Sequence, residues 1–556
     1  MIEEGLIEES LVRLINQAVI KAFPSISSKE LPTYLEIPKE YKFGDLSSTV
    51  ALRLTRLLNK PSLEVANILK DEIAARINSS ALNKVILKVE TAPNGFINFF
   101  IKNEYLYQLL TLIIETKDGF GRQDIGNKSK VNIEFVSANP TGPLSLAHGR
   151  QAAVGDALAN LLEFLGFQVT REYYLNDEGR QINLLGQSLE SRTRELLGEA
   201  EKFPEDGYQG QYIYDIAKEI IANNLAIDKQ KLEFFREYAV DHILNTIKKD
   251  LQDFGVTFDV WFSQKELRKS GDIDKAIELF KKKELAYEKE GALWFKSTLF
   301  GDDKDRVIIK SDGTFTYLAP DIAYHKDKFK RRFNWLINLW GPDHHGYISR
   351  LRAAVRALGH KEESLDIIIV QLATLLKGEE VISMSTRRGE FVTLSQVMKE
   401  VGKDVARFFF LARRTESHLD FDLELAKKES QENPVYYIQY AYARINSIQE
   451  NALEKNIRIS KKVNASLLNT EEEIALLKNL HRFPHAVLIS YKLLDPYPIT
   501  TYLLDLVGVF HRFYERQKVL SEDKELTQAR LLLIEAVKIV LDNGLKLLGI
   551  SRPKRM

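Results

Sequence analysis

The spacing of apolar residues changes along this chain, and each change predicts a different kind of structure. Up to about residue 115 it is mixed: Ile7, Leu11, Leu14, Ile15, Ala18 and Val19 recur at helical spacing, whereas Gly95-Phe96-Ile97-Asn98-Phe99-Phe100-Ile101 alternates as a strand does. A small α+β domain over residues 1–115 is expected. Residues 117–130, rich in Gly, Asn, Asp and Lys, read as a linker. Beyond it, Val131, Ile133 and Phe135 alternate with Asn132 and Glu134. Ala153, Val154, Ala157, Leu158, Leu161, Leu162 and Leu165 then predict a strongly amphipathic helix. The apolar run Trp335 to Trp340 predicts a buried strand. This α/β pattern fills a domain over 116–430, interrupted at about 185–300 by mainly helical, charge-laced sequence that reads as an insertion. From 431 to 556 strand signals nearly vanish, and a helix bundle is expected.

Between the first α/β strand and its helix lies Ser137-Ala138-Asn139-Pro140-Thr141-Gly142-Pro143-Leu144-Ser145-Leu146-Ala147-His148-Gly149-Arg150. Pro and Gly make the turn, and a strand–turn–helix unit brings backbone N–H groups and the positive end of a helix to one point, which suits phosphate. Ala147 and Gly149 have almost no side chain, so a base or triphosphate could approach closely, and His148 supplies a ring donor. The same pattern describes many ordinary strand-to-helix connections. Gly341-Pro342-Asp343-His344-His345-Gly346 follows the Trp335–Trp340 run at its carboxyl end, where α/β sheets bind nucleotides. Asp343 suits a ribose hydroxyl there, and the paired histidines suit hydrogen bonding better than metal ligation.

Composition narrows the classes. A chain of 556 residues should divide into two to four domains. It has no cysteine, which excludes disulfides and thiolate zinc sites, and no structural metal is expected. No apolar run reaches the ~18 residues of a membrane span, and Met1-Ile2-Glu3-Glu4 is acidic where a targeting signal would be basic, so a cytoplasmic protein without membrane association is expected. Lys plus Arg and Asp plus Glu are 78 each, so local patches would have to hold any nucleic acid. Tyr436, Tyr437, Tyr440, Tyr442 and Arg444, and later His511, Arg512, Phe513, Tyr514 and Arg516, interleave rings with cations. Such a pattern suits unpaired bases, but taken by itself it more often marks a bundle core with a solvated edge.

The phosphate turn resembles the HIGH region of class I aminoacyl-tRNA synthetases, and the chain resembles arginyl-tRNA synthetases along nearly its whole length. The similar segments begin with Glu134 to Pro143, Arg171-Glu172-Tyr173-Tyr174-Leu175-Asn176-Asp177 and Asp259-Val260-Trp261-Phe262-Ser263. They continue with Tyr317-Leu318-Ala319-Pro320-Asp321-Ile322-Ala323-Tyr324-His325, Trp340 to Tyr347, Ser417 to Asp422, and Asn433-Pro434-Val435-Tyr436-Tyr437. The resemblance implies a multidomain α/β plus all-α fold. Its parts would be a small N-terminal α+β domain binding the tRNA body, a Rossmann-like class I catalytic domain with a helical insertion, and a C-terminal anticodon-binding helix bundle. It implies ATP-dependent ligation of L-arginine to its tRNA through arginyl-adenylate, with Mg²⁺ accompanying ATP and the chain acting as a monomer.

The resemblance also distributes roles. Glu134, Ser137, Asn139, Tyr317, Asp321 and His345 would bind arginine, whose planar, forked cation is best discriminated by carboxylates. Ser145, Ala147, His148, Gly149, Gly341, Asp343, Met384 and Ser385 would bind ATP. His148, Ser385, Arg387 and Lys377 would act at the reacting phosphates, and Tyr442, Arg444 and Met556 would touch tRNA. The chain departs from the family in both phosphate motifs. In Ser383-Met384-Ser385-Thr386-Arg387-Arg388-Gly389, Ser383 and Thr386 replace the two lysines of KMSKS. Ser145 and Ala147 replace the first His and the Gly of HIGH, and Gly142 stands where some members carry a compensating Lys. Arg387, Arg388 and Lys377 are the candidates to restore the charge. These departures leave two rivals open: a non-catalytic synthetase-like tRNA-binding protein and another adenylate-forming nucleotidyltransferase.

Overall fold

The computed structural model describes residues 7–26, 35–38, 41–199, 202–223, 231–378, 380–381, 392–460 and 463–555. Its centre is a five-stranded, all-parallel sheet formed by Lys130–Glu134, Gln168–Leu175, Val260–Ser263, Trp335–Trp340 and Leu365–Ile369. In space the order is fifth, fourth, first, second, third, so the winding reverses between Lys130–Glu134 and Trp335–Trp340. Such a switch point is where doubly wound sheets hold ligands, outside the strands' carboxyl ends. There the register sets Glu134 between Asn338 and Glu172, a polar row across three strands.

The strand expected from the alternation at Val131 to Phe135 forms as Lys130–Glu134, and Val131 to Glu134 are all buried because helices cover both sides of a parallel sheet. One local expectation is corrected. The helix Leu146–Phe164 is not strongly amphipathic, because it is buried around nearly its whole circumference. It packs between the sheet, the helix Lys403–Leu411 and the last bundle helix, Lys524–Leu547. Gly155 permits the close approach to the sheet, since a Cβ there would meet the Phe135 ring at 2.2 Å.

The helical stretch at 185–300 is not one insertion either. Helices Arg180–Leu196, Gln211–Ala222, Leu232–Asp253 and Asp272–Lys282 dominate it, but Val260–Ser263 pairs in parallel with Gln168–Leu175 as an edge of the main sheet. The helices therefore fall into two crossovers. The second carries a three-stranded antiparallel sheet, Ala286–Lys289, Ala292–Phe295 and Arg306–Ile309, on a separate apolar core.

The N-terminal part is a four-stranded antiparallel sheet with helices Ile7–Ala22, Val50–Leu58 and Ser62–Asn78. Residues 117–130 are no free linker: Asn543 Nδ2 donates to the carbonyls of Lys117 and Phe120 at 2.9 and 3.2 Å, pinning them to the last helix. From Pro434 onward the described residues form five α-helices: Pro434–Glu454, Glu471–His481, Phe483–Leu493, Tyr497–Arg516 and Lys524–Leu547. One apolar cluster runs through the N-terminal part, the sheet and this bundle. A node of buried charge also joins the parallel-sheet part to the end of the bundle. Arg407, with no exposed surface, donates to Asp156 at 2.5 Å on the Leu146–Phe164 helix, to Phe254 O at 3.2 Å and to Leu548 O at 3.1 Å.

Candidate active site

The chain leaves the first core strand by a costly route. Val136 and Ser137 have φ of 66° and 38°, a region unfavourable for a β-branched residue, and such strain collects at functional sites. The turn is braced from outside: Tyr173 OH donates to Ala138 O at 2.9 Å and Tyr212 OH to Thr141 O at 2.7 Å. Ser145 then caps the Leu146–Phe164 helix in a box arrangement in which His148 stands where Glu or Gln is usual. The Ser145 N–H donates to His148 Nδ1 at 3.2 Å, which leaves the ring proton on Nε2. Desolvation pushes the imidazole down to about 4, against the raising field of Asp343, so it is neutral at pH 7. A neutral ring at a helix N-terminus is a donor for phosphate that carries no charge penalty when the site is empty.

Gly149 also serves a need not expected from the sequence. A Cβ there would meet Leu394 Cδ1 at 2.7 Å and Phe410 at 3.1 Å, so packing of protein on protein already requires its small size. Ala147 is half-buried. Gly341 lies near the same helix: its Cβ would be 2.5 Å from Asp343 Oδ1 and 3.6 Å from Gln151 Nε2. Asp343 is exposed, 3.3 Å from His344.

The acidic pocket sits beside this turn. Glu134 accepts from Lys328 Nζ at 2.6 Å on Oε2 and from Ser137 Oγ at 3.2 Å on Oε1, while Ser137 Oγ accepts from Tyr174 N–H at 3.1 Å. Asp321, on the helix Leu318–Lys330, accepts from Tyr347 OH at 2.6 Å. Desolvation lifts its carboxyl to about 7; the Tyr347 bond opposes this, and Glu134 adds to it. His325 bridges the Asp321 carbonyl at 2.8 Å and Asn338 Nδ2 at 3.0 Å, and burial holds it neutral at about 3. Beneath lies Glu172, fully buried, taking both Arg331 terminal nitrogens at 2.5 and 2.9 Å, Tyr324 OH at 2.7 Å and Asn132 Nδ2 at 2.9 Å.

Glu134, Ser137, His148, Asp321 and Asp343 thus gather at the switch point. Asn139 faces Gln181, donating at 2.7 Å. Tyr317 precedes Asp321 at the helix start and is 80% exposed. His345 is exposed and lines a groove of about 1330 Å³ between the Leu365–Ile369 edge, residues 414–416 and the bundle helices; its neighbour Tyr347 is the one that reaches Asp321. Tyr442 is corrected as a stacking platform, because it is 8% exposed in the bundle core with its hydroxyl toward Asp542. Arg444 is half-buried, 4.9 Å from the Tyr514 ring and 5.9 Å from Tyr440. Ser383 to Gly389, including Met384, Ser385 and Arg387, and also Met556 lie outside the described residues, as does the Lys377 side chain. Lys328, Tyr347 and Arg150 were missed in the sequence. The signal for Lys328 was its place seven residues after Asp321, on the same helix face.

A phosphate turn with a His-bearing helix, at the switch point of a parallel sheet followed by a helix bundle, is the architecture of a class I aminoacyl-tRNA synthetase. Family models match residues 9–101 as the arginyl tRNA synthetase N terminal domain, 110–419 as the class I (R) tRNA synthetase catalytic domain and 438–556 as the DALR anticodon binding domain. An arginine–tRNA ligase of a Geobacter species is 48% identical over 96% of both chains, and one of Geobacillus kaustophilus is 45% identical over 99% of both. The arginyl-tRNA synthetase structure from Thermus thermophilus shares the fold, with TM-score 0.78 at 21% identity over 99% of this chain and 100% of that one. The chain belongs to the arginyl-tRNA synthetase family.

Proposed function

We propose that the switch-point cleft performs both steps of arginine–tRNA ligation. What supports the reading is the closeness of Glu134 to Asp321, near enough for its charge to raise the Asp321 carboxyl, at the carboxyl end of the strand that feeds the His148 helix terminus. The overall reaction is ATP plus L-arginine plus tRNA giving arginyl-tRNA, AMP and pyrophosphate. An oxygen of the arginine carboxylate attacks the α-phosphorus, the bond to the β-phosphate oxygen breaks, and pyrophosphate leaves. A terminal ribose hydroxyl of tRNA then attacks the arginyl carbonyl, loses its proton, and AMP leaves. No protein nucleophile is required; alignment and stabilisation of charge supply the catalysis.

Asp321 and Glu134 take the guanidinium, with Tyr317 at the mouth, while Asn139 and the Ser137 turn face the α-amino end. His148 Nε2–H and the backbone around Ser145 and Ala147 meet the phosphates, and Gly341 and Asp343 meet the ribose. Mg²⁺ enters with ATP, held by phosphate oxygens and water, which calls for no protein cage. The Ser383 to Gly389 segment with its Met384, Ser385 and Arg387, together with Lys377, provides the positive charge that the absent lysines would otherwise bring. Residues 1–115 bind the tRNA body and 431–556 the anticodon arm, through the Tyr440, Arg444 and Tyr514 face. The chain works as a cytoplasmic monomer. The test is charging of bulk tRNA with each of the 20 amino acids, together with ATP–pyrophosphate exchange in the presence of tRNA. Arginine alone should support both; a protein that binds tRNA and charges nothing would favour the non-catalytic rival.

A further inference from the structure

One charged group in the pocket has no part in the mechanism above. Lys328 has no exposed surface, yet its Nζ stands among the groups assigned to arginine. It donates to Glu134 Oε2 at 2.6 Å and to Asn338 Oδ1 at 3.2 Å, and it lies 4.3 Å from the Tyr324 ring centroid. Asn338 in turn meets His325, which is bonded to the Asp321 main-chain carbonyl, so Lys328 is tied directly to the Glu134 carboxylate and, through Asn338 and His325, to the backbone of the helix turn that carries Asp321. Tyr317, Asp321, Tyr324 and Lys328 recur on one face of the helix, running from the exposed mouth to the buried floor.

We propose that Lys328 is a specificity-determining positioning residue of the arginine pocket: it neutralises Glu134 and holds Oε2, so that Oε1 beside Ser137 is the edge left for the ligand. With Lys328 in place, Glu134 and Asp321 together present one net negative charge, matched to one guanidinium. Without it two carboxylates would face a single cation, and Glu134 would be buried without the ammonium that pairs with it. The charged and titratable groups around Glu134 are Lys328, Asp321, Tyr324 and His325 on the Leu318–Lys330 helix, Glu172 and Tyr174 on the second core strand, and Arg331 on Glu172. Among the described residues, Lys328 alone of the cations touches Glu134; Arg331 is committed to Glu172 and Asp327.

The inference rests on reading Glu134 as an arginine contact, and the experiment separates the two. Steady-state aminoacylation is measured at one fixed pH of about 8 for wild type, Lys328→Met, Glu134→Gln and the double variant, since removing either partner also changes the field at Asp321. Lys328→Met should raise the arginine KM about 10-fold or more, with kcat within about threefold and the ATP KM unchanged. Adding Lys328→Met to Glu134→Gln should cost much less than Lys328→Met costs alone, because Lys328 acts chiefly through that carboxylate. An unchanged arginine KM in Lys328→Met, or additive effects in the double variant, would overturn the proposal. An unchanged arginine KM in Glu134→Gln would instead overturn the assignment of Glu134. Should Lys328→Met fail to fold, Lys328→Gln keeps a donor and loses the charge, and an unchanged arginine KM there refutes the idea equally.

Discussion

Acidifying the medium should weaken arginine binding and make it release protons, and Asp321 sets how much. Desolvation holds this carboxyl at about 7 in the empty pocket. A guanidinium takes the ionised form, so each bound arginine displaces whatever proton Asp321 carries. A group titrating at about 7 is about nine-tenths protonated at pH ~6 and about one-tenth at pH ~8. The arginine dissociation constant should therefore rise about 10-fold over that interval, and protons released per arginine should climb from about 0.1 to about 0.9. Neither His148, at about 4, nor His325, at about 3, changes charge in this range. Titration calorimetry in buffers of different ionisation enthalpy reads the release directly. The folded empty protein keeps the Asp321 proton between about pH 4 and 7, where the unfolded chain has lost it. Asp321 thus costs stability as pH rises through that window, and the thermal shift produced by arginine should be larger near pH 8 than near pH 6. Asp321→Asn should bind arginine poorly with no pH slope. Constant binding without proton release, or a slope that survives in Asp321→Asn, would refute the argument.

Glu134→Gln should cost roughly 1.5 to 3 kcal/mol in arginine affinity, about 10- to 150-fold, with the ATP KM little changed. It should also lower the melting temperature, since Lys328 is left buried without its counter-charge, and equal loss for both substrates would argue against the assignment. Alanine at Lys377, Arg387 and Arg388 in turn should yield at least one variant about 10-fold or more down in turnover with near-normal arginine affinity; three unaffected variants would mean the charge comes from elsewhere. Tyr440→Ala and Arg444→Ala should each weaken tRNA binding, and Arg444→Ala should lower the slope of log K against log salt by about 1, as filter binding over a salt series would show. Arg150→Met should destabilise by at least ~3 kcal/mol in a denaturant melt, because its guanidinium donates to the carbonyls of Gln371, Leu372, Arg414 and Ser417 from a position with no exposed surface.

What could be read from sequence was what repeats or what punctuates. The parallel strands Lys130–Glu134 and Trp335–Trp340, the turn into His148 and the loss of strands after residue 431 all follow from spacing and from Pro and Gly. What could not be read depends on pairing across distance. The strand Val260–Ser263 is short, and its membership of the main sheet is decided by its partner Gln168–Leu175 rather than by its own residues. Gly149 looked only like room for a nucleotide because sequence cannot say that Leu394 and Phe410 close over it. Lys328 resembled one more solvated lysine in a charged helix, and its role came from Glu134, 194 residues earlier. Tyr442 shows the converse: an aromatic beside an arginine carries no label saying which side of the helix meets the core. Deleting the chain from 431 onward, an obvious way to isolate the anticodon arm, would tear open the shared apolar cluster, so point changes on the Tyr440 face are the better probe.

The Arg407 node has a consequence for the order in which the molecule is made. Asp156 and Arg407 are 251 residues apart, and the Leu548 carbonyl that completes the guanidinium's partners lies 141 residues further on. While the chain is still on the ribosome, the nucleotide cleft can acquire its strands and its His148 helix long before that carbonyl exists. Until then the cleft's buried cation is short of an acceptor and Gly549, which packs against it, is missing. Contacts closed over such separations form late. A chain stopped after the sheet but before the last helix would hold every residue proposed to meet ATP and arginine and still lack the Leu548 carbonyl and Gly549 that close over Arg407.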